Sequence, residues 1–476
     1  MVFPTIEFFY FFAFVLIFNW LLKPLPVLWK FFLLFSSYFF YSLWDPRFLT
    51  VLIGVSVFNY FSALIIEKAR KFKKLYFVVS VIINLLCLSI FKYYEFFRVG
   101  AESFLDKLGI FYTLPLLDIL LPLGLSFYLF RAISYIADVY LKKMPASRSL
   151  LDFSLYVSFF PQLFSGPIAR AIDFIPQLKD GGAKKIENFS ENMTLIAIGL
   201  FKKIVISSYL IIAITDNVFA VPENHSALVV WLALLSYYLV IYFDFSGYSD
   251  MAIGFAGLLG FRSPANFNMP YLATSIKDFW RRWHITLSSW IKDYVYIPLG
   301  GNRRGLLVKY FNLMVIMLLI GLWHGASINY VIWGGIQGVG LTAFNIKSDI
   351  EKKIWPNKKP HKIRDALGKI AGWVFTFVFV LFSWIFFKST AIDVAFKFIR
   401  SLFDFNRPGE QFELFIILFI VVGFLLVFFE KRIINTMIRI KNFLPWPLLT
   451  IFIVSLLLLI FKLSQDVMPP FIYFDF

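Results

Sequence analysis

Cysteine and histidine are scarce in this chain of 476 residues, which has one cysteine, Cys87, and four histidines. A single cysteine forms no intramolecular disulfide and builds no cysteine-based zinc site. Two histidines, His225 and His361, lie in polar links, whereas His284 and His324 lie in the central part of the chain without an HExxH motif. We therefore expect no metal site and no permanently bound cofactor.

Charged residues are also few, at 16% of the chain, against 60% hydrophobic and 21% aromatic residues. A soluble protein of this length needs more polar surface to cover its core. Apolar stretches of about 20 residues, the length that crosses a bilayer as a helix, recur from residue 6 almost to the C-terminus. This composition predicts an integral membrane protein and excludes a soluble globular one.

The apolar stretches predict a single all-α polytopic membrane domain over residues 1–476, with about 11 to 13 transmembrane helices. Within it we distinguish N-terminal helices (1–140), a central part that carries the unusual motifs (150–346) and C-terminal helices (347–476). Three segments, 150–166, 248–261 and 276–297, are short or amphipathic. Because irregular backbone at membrane depth is tolerated only where protein or a water-filled cavity surrounds it, these re-entrant or interfacial segments predict an internal cavity. The predicted spans are 6–22, 27–44, 48–66, 75–91, 117–140, 194–218, 227–245, 309–323, 328–346, 370–387, 412–429 and 447–463.

The net charge of +17 does not indicate nucleic-acid binding, because the basic residues lie in short links between apolar segments. Lys and Arg concentrate in cytoplasmic loops of membrane proteins. The richest links are 67–74, 347–369 and 431–441, and placing them inside puts the N-terminus and the C-terminus outside the cytoplasm. The N-terminal stretch lacks the basic region and cleavage site of a signal peptide, so it is interpreted as a retained first span.

Two aspartates, Asp244 and Asp250, lie in the apolar stretch "IYFDFSGYSDMAIG". Ionisable groups at membrane depth are costly and face a cavity or a partner. The structural interpretation, with Asp244 capping a helix and Asp250 paired with an arginine, is preferred to direct catalysis. A glycosidase with paired carboxylates is a poor fit, because no sugar-binding domain accompanies the two residues.

The stretch "SIKDFWRRWHITLSSWIKDYVYIPLGGNRRG" has aromatic and aliphatic residues at helical spacing from Ile276 to Ile291, which predicts an amphipathic helix. Arg281, Arg282 and His284 lie largely on its other face. This helix either lies at the membrane interface, with basic residues toward lipid phosphates, or attracts an anionic donor molecule. The "GGNRRG" turn lacks the lysine and hydroxyl residue of a phosphate-binding loop.

His324 lies in the apolar stretch "LLIGLWHGAS". A lone histidine on an apolar helix is more often a packing residue, but an ionisable group inside a membrane is by default a functional candidate. A neutral imidazole is cheaper to bury than a carboxylate or an ammonium group, and it can act as a general base near neutral pH. A Ser-His-Asp triad stays open on spacing, although no GxSxG elbow is present.

Taken together, "FFPQLFSGPIAR", "DFSGYSDMAIG", "DFWRRWHITLSSWIKDYVYIPLGGNR", "GLWHGASINYVIWGG" and "PFIYFDF" resemble the membrane-bound O-acyltransferase (MBOAT) family, in particular its bacterial branch that O-acetylates alginate and other polysaccharides. The resemblance runs over nearly the whole chain. It implies many helices around a central tunnel, with His324 matching the catalytic histidine of the family and His284 its second characteristic histidine.

The resemblance also implies that a cytoplasmic thioester, acetyl-CoA or another acyl donor, supplies the acyl group in the bacterial inner membrane. The acceptor is then the glycan itself or an extracytoplasmic SGNH-hydrolase-like acetyltransferase within a polysaccharide-modification complex. On this interpretation Arg281 and Arg282 hold the donor phosphates, and Asp250 or Asn329 orients the catalytic imidazole. D-alanyl transfer to teichoic acid, a flippase or transporter with His324 as a proton relay, and a scaffold that recruits a transferase are the alternatives.

Overall fold

The computed structural model describes residues 3–113, 115, 120–183, 185–356, 361–443 and 471, and no strand is present among them. The chain divides into two compact units. The first comprises Met1–Asn192 and Ala252–Pro264, and the second comprises Met193–Met251 and Ala265–Phe476. All of the candidate site residues singled out from the sequence belong to the second unit.

The first unit is built from helices whose starts follow from local chemistry. The Thr5 hydroxyl accepts the Phe8 N–H, and the Asp45 carboxylate accepts the Arg47 N–H next to Pro46 in the first turn, where a missing N–H costs nothing. Two buried asparagines, Asn59 and Asn84, exchange amide hydrogen bonds of 2.9 Å between the third and fourth helices. The helices of this unit are α1 (Ile6–Leu22), α2 (Pro26–Ser42), α3 (Pro46–Lys68), α4 (Lys73–Lys107), α5 (Leu125–Tyr140), α6 (Leu150–Ser158), α7 (Phe160–Leu163) and α8 (Ala171–Phe174), followed by a 3-10 helix at Ile175–Gly181.

The next stretch of helix runs continuously over Phe189–Ala220 and contains two π-helical segments, Phe201–Ser207 and Ile211–Thr215. Its α-helical parts are α9 (Phe189–Leu200), α10 (Ser208–Leu210) and α11 (Asp216–Ala220). The helices that follow are α12 (Ala227–Leu258), α13 (Ile276–Arg282), α14 (Ile285–Ile291), α15 (Leu306–His324), α16 (Ile328–Ile354), α17 (Lys362–Lys388), α18 (Ile392–Leu402) and α19 (Leu414–Phe443). Further short segments are the 3-10 helices Pro222–Asn224 and Pro270–Leu272 and the π-helix Lys292–Tyr296.

Ten of the first eleven predicted spans coincide with helices to within about two residues. The fifth, 117–140, is helical from Leu125 onward, and its residues 117–119 lie outside the described part of the chain, as does the twelfth span, 447–463. Seven of the described helices are long and apolar enough to cross a membrane. The remaining predicted spans correspond to α1, α2 and α5, which have 16 or 17 residues, and to α16, which carries asparagine, glutamine and several glycines. The prediction of an all-α polytopic membrane protein is thus confirmed, whereas the larger helix count, the single domain and the tunnel stay predictions. The seven are Pro46–Lys68, Lys73–Lys107, Phe189–Ala220, Ala227–Leu258, Leu306–His324, Lys362–Lys388 and Leu414–Met437.

The structure differs from the sequence prediction at residues 248–261, because α12 continues without a break to Leu258. Gly247 explains why the small residues of this stretch do not interrupt the helix. A Cβ atom added there would lie 2.7 Å from the carbonyl oxygen of Gly199, so the glycine serves a close approach of two helices. Composition alone does not separate such a glycine from a helix breaker.

Residues 276–297 also differ from the prediction, because the expected amphipathic helix is broken between α13 and α14. His284 adopts the left-handed conformation, with φ 43° and ψ 54°, and ends the helical register. The apolar spacing continues across the break, which is why periodicity alone predicts one helix.

Helices α15 and α16 form an antiparallel pair that packs through glycine. A Cβ atom added at Gly321 would lie 2.2 Å from the Tyr330 carbonyl oxygen, and one added at Gly334 would lie 2.4 Å from the Met317 carbonyl oxygen. Both contacts are shorter than any real Cβ contact, so these positions require glycine. The neighbouring Gly335 differs, because its added Cβ would meet only the Leu318 Cδ2 atom at 3.8 Å.

We expect Gly334→Ala to destabilise the protein by roughly 1–3 kcal/mol, because the added methyl group forces the two backbones apart. Gly335→Ala is the matched control. It adds the same group in open space and is expected to leave stability unchanged or to raise it by up to about 1 kcal/mol, because alanine restricts the unfolded chain. The midpoint of thermal unfolding in detergent measures both effects, and equal midpoints for the two variants would contradict the packing argument.

Candidate active site

The break before α14 turns His284 into the protein interior, where its side chain is 1% exposed. The ring lies edge-to-face against Phe245, with centroids 4.7 Å apart, and its Nδ1 atom lies 3.1 Å from the Asn266 Oδ1 atom. The sequence prediction put His284 on the polar face of a single helix. The structure corrects this placement, because the left-handed residue changes the direction of the side chain.

His324 is the last residue of α15 and is 4% exposed. Its ring is walled by aromatic rings: Trp333 lies 5.2 Å away and Phe387 4.9 Å away, both edge-to-face, and Trp323 lies 4.8 Å away. Gly325 follows with an extended backbone, where a Cβ atom would lie 2.5 Å from the Tyr330 ring. The imidazole is therefore enclosed by rings that exclude water.

The indole of Trp323 connects the two histidines. Its ring centroid lies 6.3 Å from that of His284 and 4.8 Å from that of His324. Residues that are forty positions apart in the sequence thus share one aromatic neighbour. The structure brings both predicted catalytic histidines into one buried region of the second unit.

Burial also fixes the charge of His284, which lies between α13 and α14 and outside the seven candidate spans. Removal from solvent disfavours the charged imidazolium, and it lowers the pKa of His284 to about 3. The ring is therefore neutral at physiological pH. A neutral imidazole has one nitrogen that donates a hydrogen bond and one that accepts a hydrogen bond.

A cluster of buried charges lies on other helices of the second unit. Lys202 contacts the Asp250 carboxylate at 2.6 Å and also bonds Glu430, whose second oxygen accepts the Tyr242 hydroxyl at 2.7 Å. A second pair joins Lys203 to Asp244. Asp244 therefore does not cap a helix, and Asp250 pairs with a lysine in place of the arginine that the structural interpretation named.

The remaining predicted site residues make their polar contacts with groups other than the two imidazoles. Arg281 is exposed, and Arg282 pairs with Asp278 at 2.9 Å one turn earlier in α13. Asn329 donates its amide to the Ser389 carbonyl oxygen at 2.7 Å. Among the described residues neither Asp250 nor Asn329 has a hydrogen bond to an imidazole, so their orienting role stays a prediction.

Several residues of this region were not singled out from the sequence. Trp333, Phe387 and Asn266 carry the ring walls and the amide contact, and each resembles an ordinary packing or loop residue in the sequence. Lys202 left a clearer signal, because two consecutive lysines inside the predicted span 194–218 require compensating charge. Glu430 follows directly after the predicted span 412–429, where a charged residue is expected to face water. Its position therefore did not indicate a pair with a lysine 228 positions earlier.

Comparison with known proteins places this geometry in a family. The model of the membrane-bound O-acyltransferase family matches residues 144–387, which include both histidines. The protein named probable alginate O-acetylase AlgI in Pseudomonas syringae pv. tomato is 41% identical over 377 residues, 79% of this chain and 70% of that protein. The protein of the same name in Pseudomonas putida is 35% identical over 475 residues, 93% of this chain and 94% of that protein.

A relative with a different named acceptor is also similar. The peptidoglycan O-acetyltransferase of Helicobacter pylori is 35% identical over 409 residues, 80% of this chain and 75% of that protein. The family match, the extent of these similarities and the apolar helices agree with one another. The chain therefore belongs to the membrane-bound O-acyltransferase family and is a multi-pass membrane enzyme that transfers an acyl group to a hydroxyl oxygen.

Proposed function

We propose that this enzyme takes an acetyl group from acetyl-CoA or another acyl thioester at the cytoplasmic face for the O-acetylation of an extracytoplasmic polysaccharide such as alginate. The observation that carries the proposal is the enclosed position of His324 beside the Trp323 indole that His284 shares. The names of the relatives support acetyl as the acyl group.

In the proposed reaction the acceptor hydroxyl oxygen attacks the thioester carbonyl carbon. The new C–O bond forms as the C–S bond breaks, the hydroxyl proton passes to the His324 imidazole, and the thiolate leaves and takes up a proton. A positioned general base contributes about 10²- to 10⁴-fold to such a rate. The aromatic walls around His324 also keep water from hydrolysing the thioester.

The donor phosphates are the proposed ligands of Arg281 and Arg282, at the end of α13. Arg281 is exposed and supports this role most directly, because an exposed guanidinium can bind a phosphate in a bidentate manner. The bacterial inner membrane is the proposed location, with the N-terminus outside the cytoplasm. An SGNH-hydrolase-like acetyltransferase is the proposed extracytoplasmic partner.

The experiment that tests the function uses inverted inner-membrane vesicles that contain the enzyme, its polysaccharide and any partner. Radiolabelled acetyl-CoA is added to the exposed cytoplasmic face, and ester-linked label on the polysaccharide and free CoA are measured. We expect both products to appear together, and Arg281→Gln to raise the donor concentration at half-maximal rate.

Right-side-out vesicles that contain no donor inside and receive acetyl-CoA from outside are the control for sidedness, and they should incorporate no label. Incorporation from that face would overturn the proposed orientation. Label from a D-alanyl carrier thioester without label from acetyl-CoA would overturn the acetyl assignment in favour of D-alanyl transfer.

A further inference from the structure

Asn266 lies in the irregular segment between α12 and the 3-10 helix Pro270–Leu272, and it is 1% exposed. The backbone of this segment pairs with the turn that carries His284. The Ile285 N–H donates to the Asn266 carbonyl oxygen at 2.8 Å, and the Asn268 N–H donates to the Arg282 carbonyl oxygen at 3.0 Å. These two backbone hydrogen bonds therefore hold the amide of Asn266 in a fixed position beside the imidazole.

The orientation of this amide follows from its other contacts. The Thr286 N–H donates to the Asn266 Oδ1 atom at 3.3 Å, and the Thr286 hydroxyl lies 2.9 Å from the same atom. A backbone N–H can only donate, so the atom that it contacts is the amide oxygen. On the other side, the Nδ2 atom donates to the Ser249 hydroxyl at 3.1 Å. The assignment of oxygen and nitrogen in Asn266 is thus determined by its surroundings.

The tautomer of His284 follows from this orientation. Its Nδ1 atom lies 3.1 Å from the Asn266 Oδ1 atom, and an amide oxygen can only accept. The imidazole must therefore carry its proton on Nδ1. Because the buried ring is neutral, the Nε2 atom holds the lone pair and is the accepting nitrogen.

The orientation of the His284 imidazole is also restricted. Phe245 meets it edge-to-face with an interplanar angle of 88°, and the left-handed backbone at His284 fixes the direction from which the side chain enters. The hydrogen bond to Asn266 selects between the two neutral tautomers, because the partner of Nδ1 is an oxygen that can only accept. Without an acceptor at Nδ1, the energy difference between the tautomers is small.

We propose that Asn266 is a positioning residue that fixes His284 as the Nδ1–H tautomer and so presents Nε2 as a hydrogen-bond acceptor to the reacting groups in acyl transfer. The catalytic part of this inference rests on the proposed function, whereas the tautomer does not. Asn266 acts only through His284 and needs no contact with a substrate.

The tautomer is tested by solid-state NMR of the enzyme in lipid bilayers with ¹⁵N-labelled histidine, where protonated and unprotonated ring nitrogens have separate chemical shifts. His284→Gln identifies the signals of His284 among those of the four histidines. We expect protonated Nδ1 and unprotonated Nε2 in the wild type. Asn266→Leu should give a mixture of tautomers, and acyl transfer should fall roughly 10- to 100-fold, by analogy with the loss of a group that orients a metal-bound histidine.

Two further variants separate this role from a structural one. Ser249→Ala removes a hydrogen bond of the same amide but leaves the Oδ1 contact with His284, so the tautomer and the activity should be retained. Asn266→Asp keeps an acceptor at Nδ1, so it should retain the tautomer, and a carboxylate beside the ring should shift the pH profile of acyl transfer toward higher pH.

A wild-type His284 protonated on Nε2 would overturn the inference, and this result needs no variant to fold. Unchanged ring signals in Asn266→Leu would overturn it as well. If the tautomer changes as expected while His284→Gln retains full acyl transfer, the tautomer assignment is supported and the catalytic role of His284 fails. If the tautomer is unchanged in Asn266→Leu while His324→Gln loses acyl transfer, the proposed function is supported and the role of Asn266 is overturned.

Discussion

Replacement of His324 with glutamine is expected to lower acyl transfer by about 10²- to 10⁴-fold, with close to normal amounts of folded protein. Glutamine has a similar size and keeps polar atoms in the space between Trp333 and Phe387, so the packing at the end of α15 is largely preserved. It has no nitrogen that can take up a proton near neutral pH. The loss of acyl transfer is therefore attributed to the missing base and not to a change in the surrounding aromatic rings.

His225→Gln is the matched control, because this histidine belongs to the same unit but lies 3.1 Å from the Glu410 carboxylate at a partly exposed position. Its replacement should leave acyl transfer unchanged. Ester-linked acetyl groups on the polysaccharide, normalised to the amount of enzyme in the membrane, measure both variants. Acetylation at the wild-type level in His324→Gln would remove this residue from the mechanism.

Replacement of Lys202 with methionine is expected to have the largest effect on stability, about 3–5 kcal/mol, and to prevent normal accumulation of the enzyme. The lysine is 3% exposed and is shared by two carboxylates, those of Asp250 and Glu430. When all three groups are ionised, the trio carries one excess negative charge. Methionine has a similar length but leaves both carboxylates, whose side chains are only 18% and 14% exposed, without a cation.

Two controls distinguish this loss from the removal of any lysine. Lys388→Met breaks a pair with Asp216 at 2.6 Å, but that lysine side chain is 28% exposed and the aspartate 53%, so the cost should stay below about 1 kcal/mol. Glu430→Gln should also be mild, because Lys202 and Asp250 then remain as a neutral pair. The glutamine oxygen can still accept from Lys202, and its amide nitrogen can donate to the Tyr242 hydroxyl oxygen.

The retention of monodisperse enzyme after heating, followed by size-exclusion chromatography, ranks the three variants. The expected order of stability is Lys388→Met and Glu430→Gln near the wild type, with Lys202→Met far below. Equal stability of Lys202→Met and Lys388→Met would show that the buried cluster does not hold the helices of the second unit together.

Local sequence predicted the helices better than their breaks. Ten of the first eleven predicted spans fall on helices, and the fifth does so from Leu125 onward, because the apolar content of about 20 consecutive residues is a property of the segment itself. The break at His284 was missed because the apolar spacing is the same on both sides of it. The continuation of α12 past Gly247 was missed because the sequence does not distinguish a glycine at a close helix contact from a glycine at a helix end.

For the site, the sequence singled out His324 as an isolated titratable residue in an apolar stretch, and the resemblance to the family singled out His284. Neither signal indicated Asn266. Asparagine in an irregular segment is common. The importance of Asn266 depends on the three hydrogen bonds that its Oδ1 atom accepts from His284 and Thr286, which lie 18 and 20 positions later. Asp250 illustrates the opposite case. Its presence at membrane depth predicted a partner, but only its placement shows that the partner is Lys202.

The sequence by itself therefore determined that this chain is a helical membrane protein, where most of its helices lie, and that two central histidines merit attention, because hydrophobicity and residue type act locally. The tertiary structure alone decided that these histidines share the Trp323 indole, that Asn266 fixes the proton of one of them, and that Lys202 pairs with carboxylates 48 and 228 positions away. Hydrogen bonds and ion pairs require atoms within a few ångströms, and for residues so distant in the chain that proximity arises only when the helices pack.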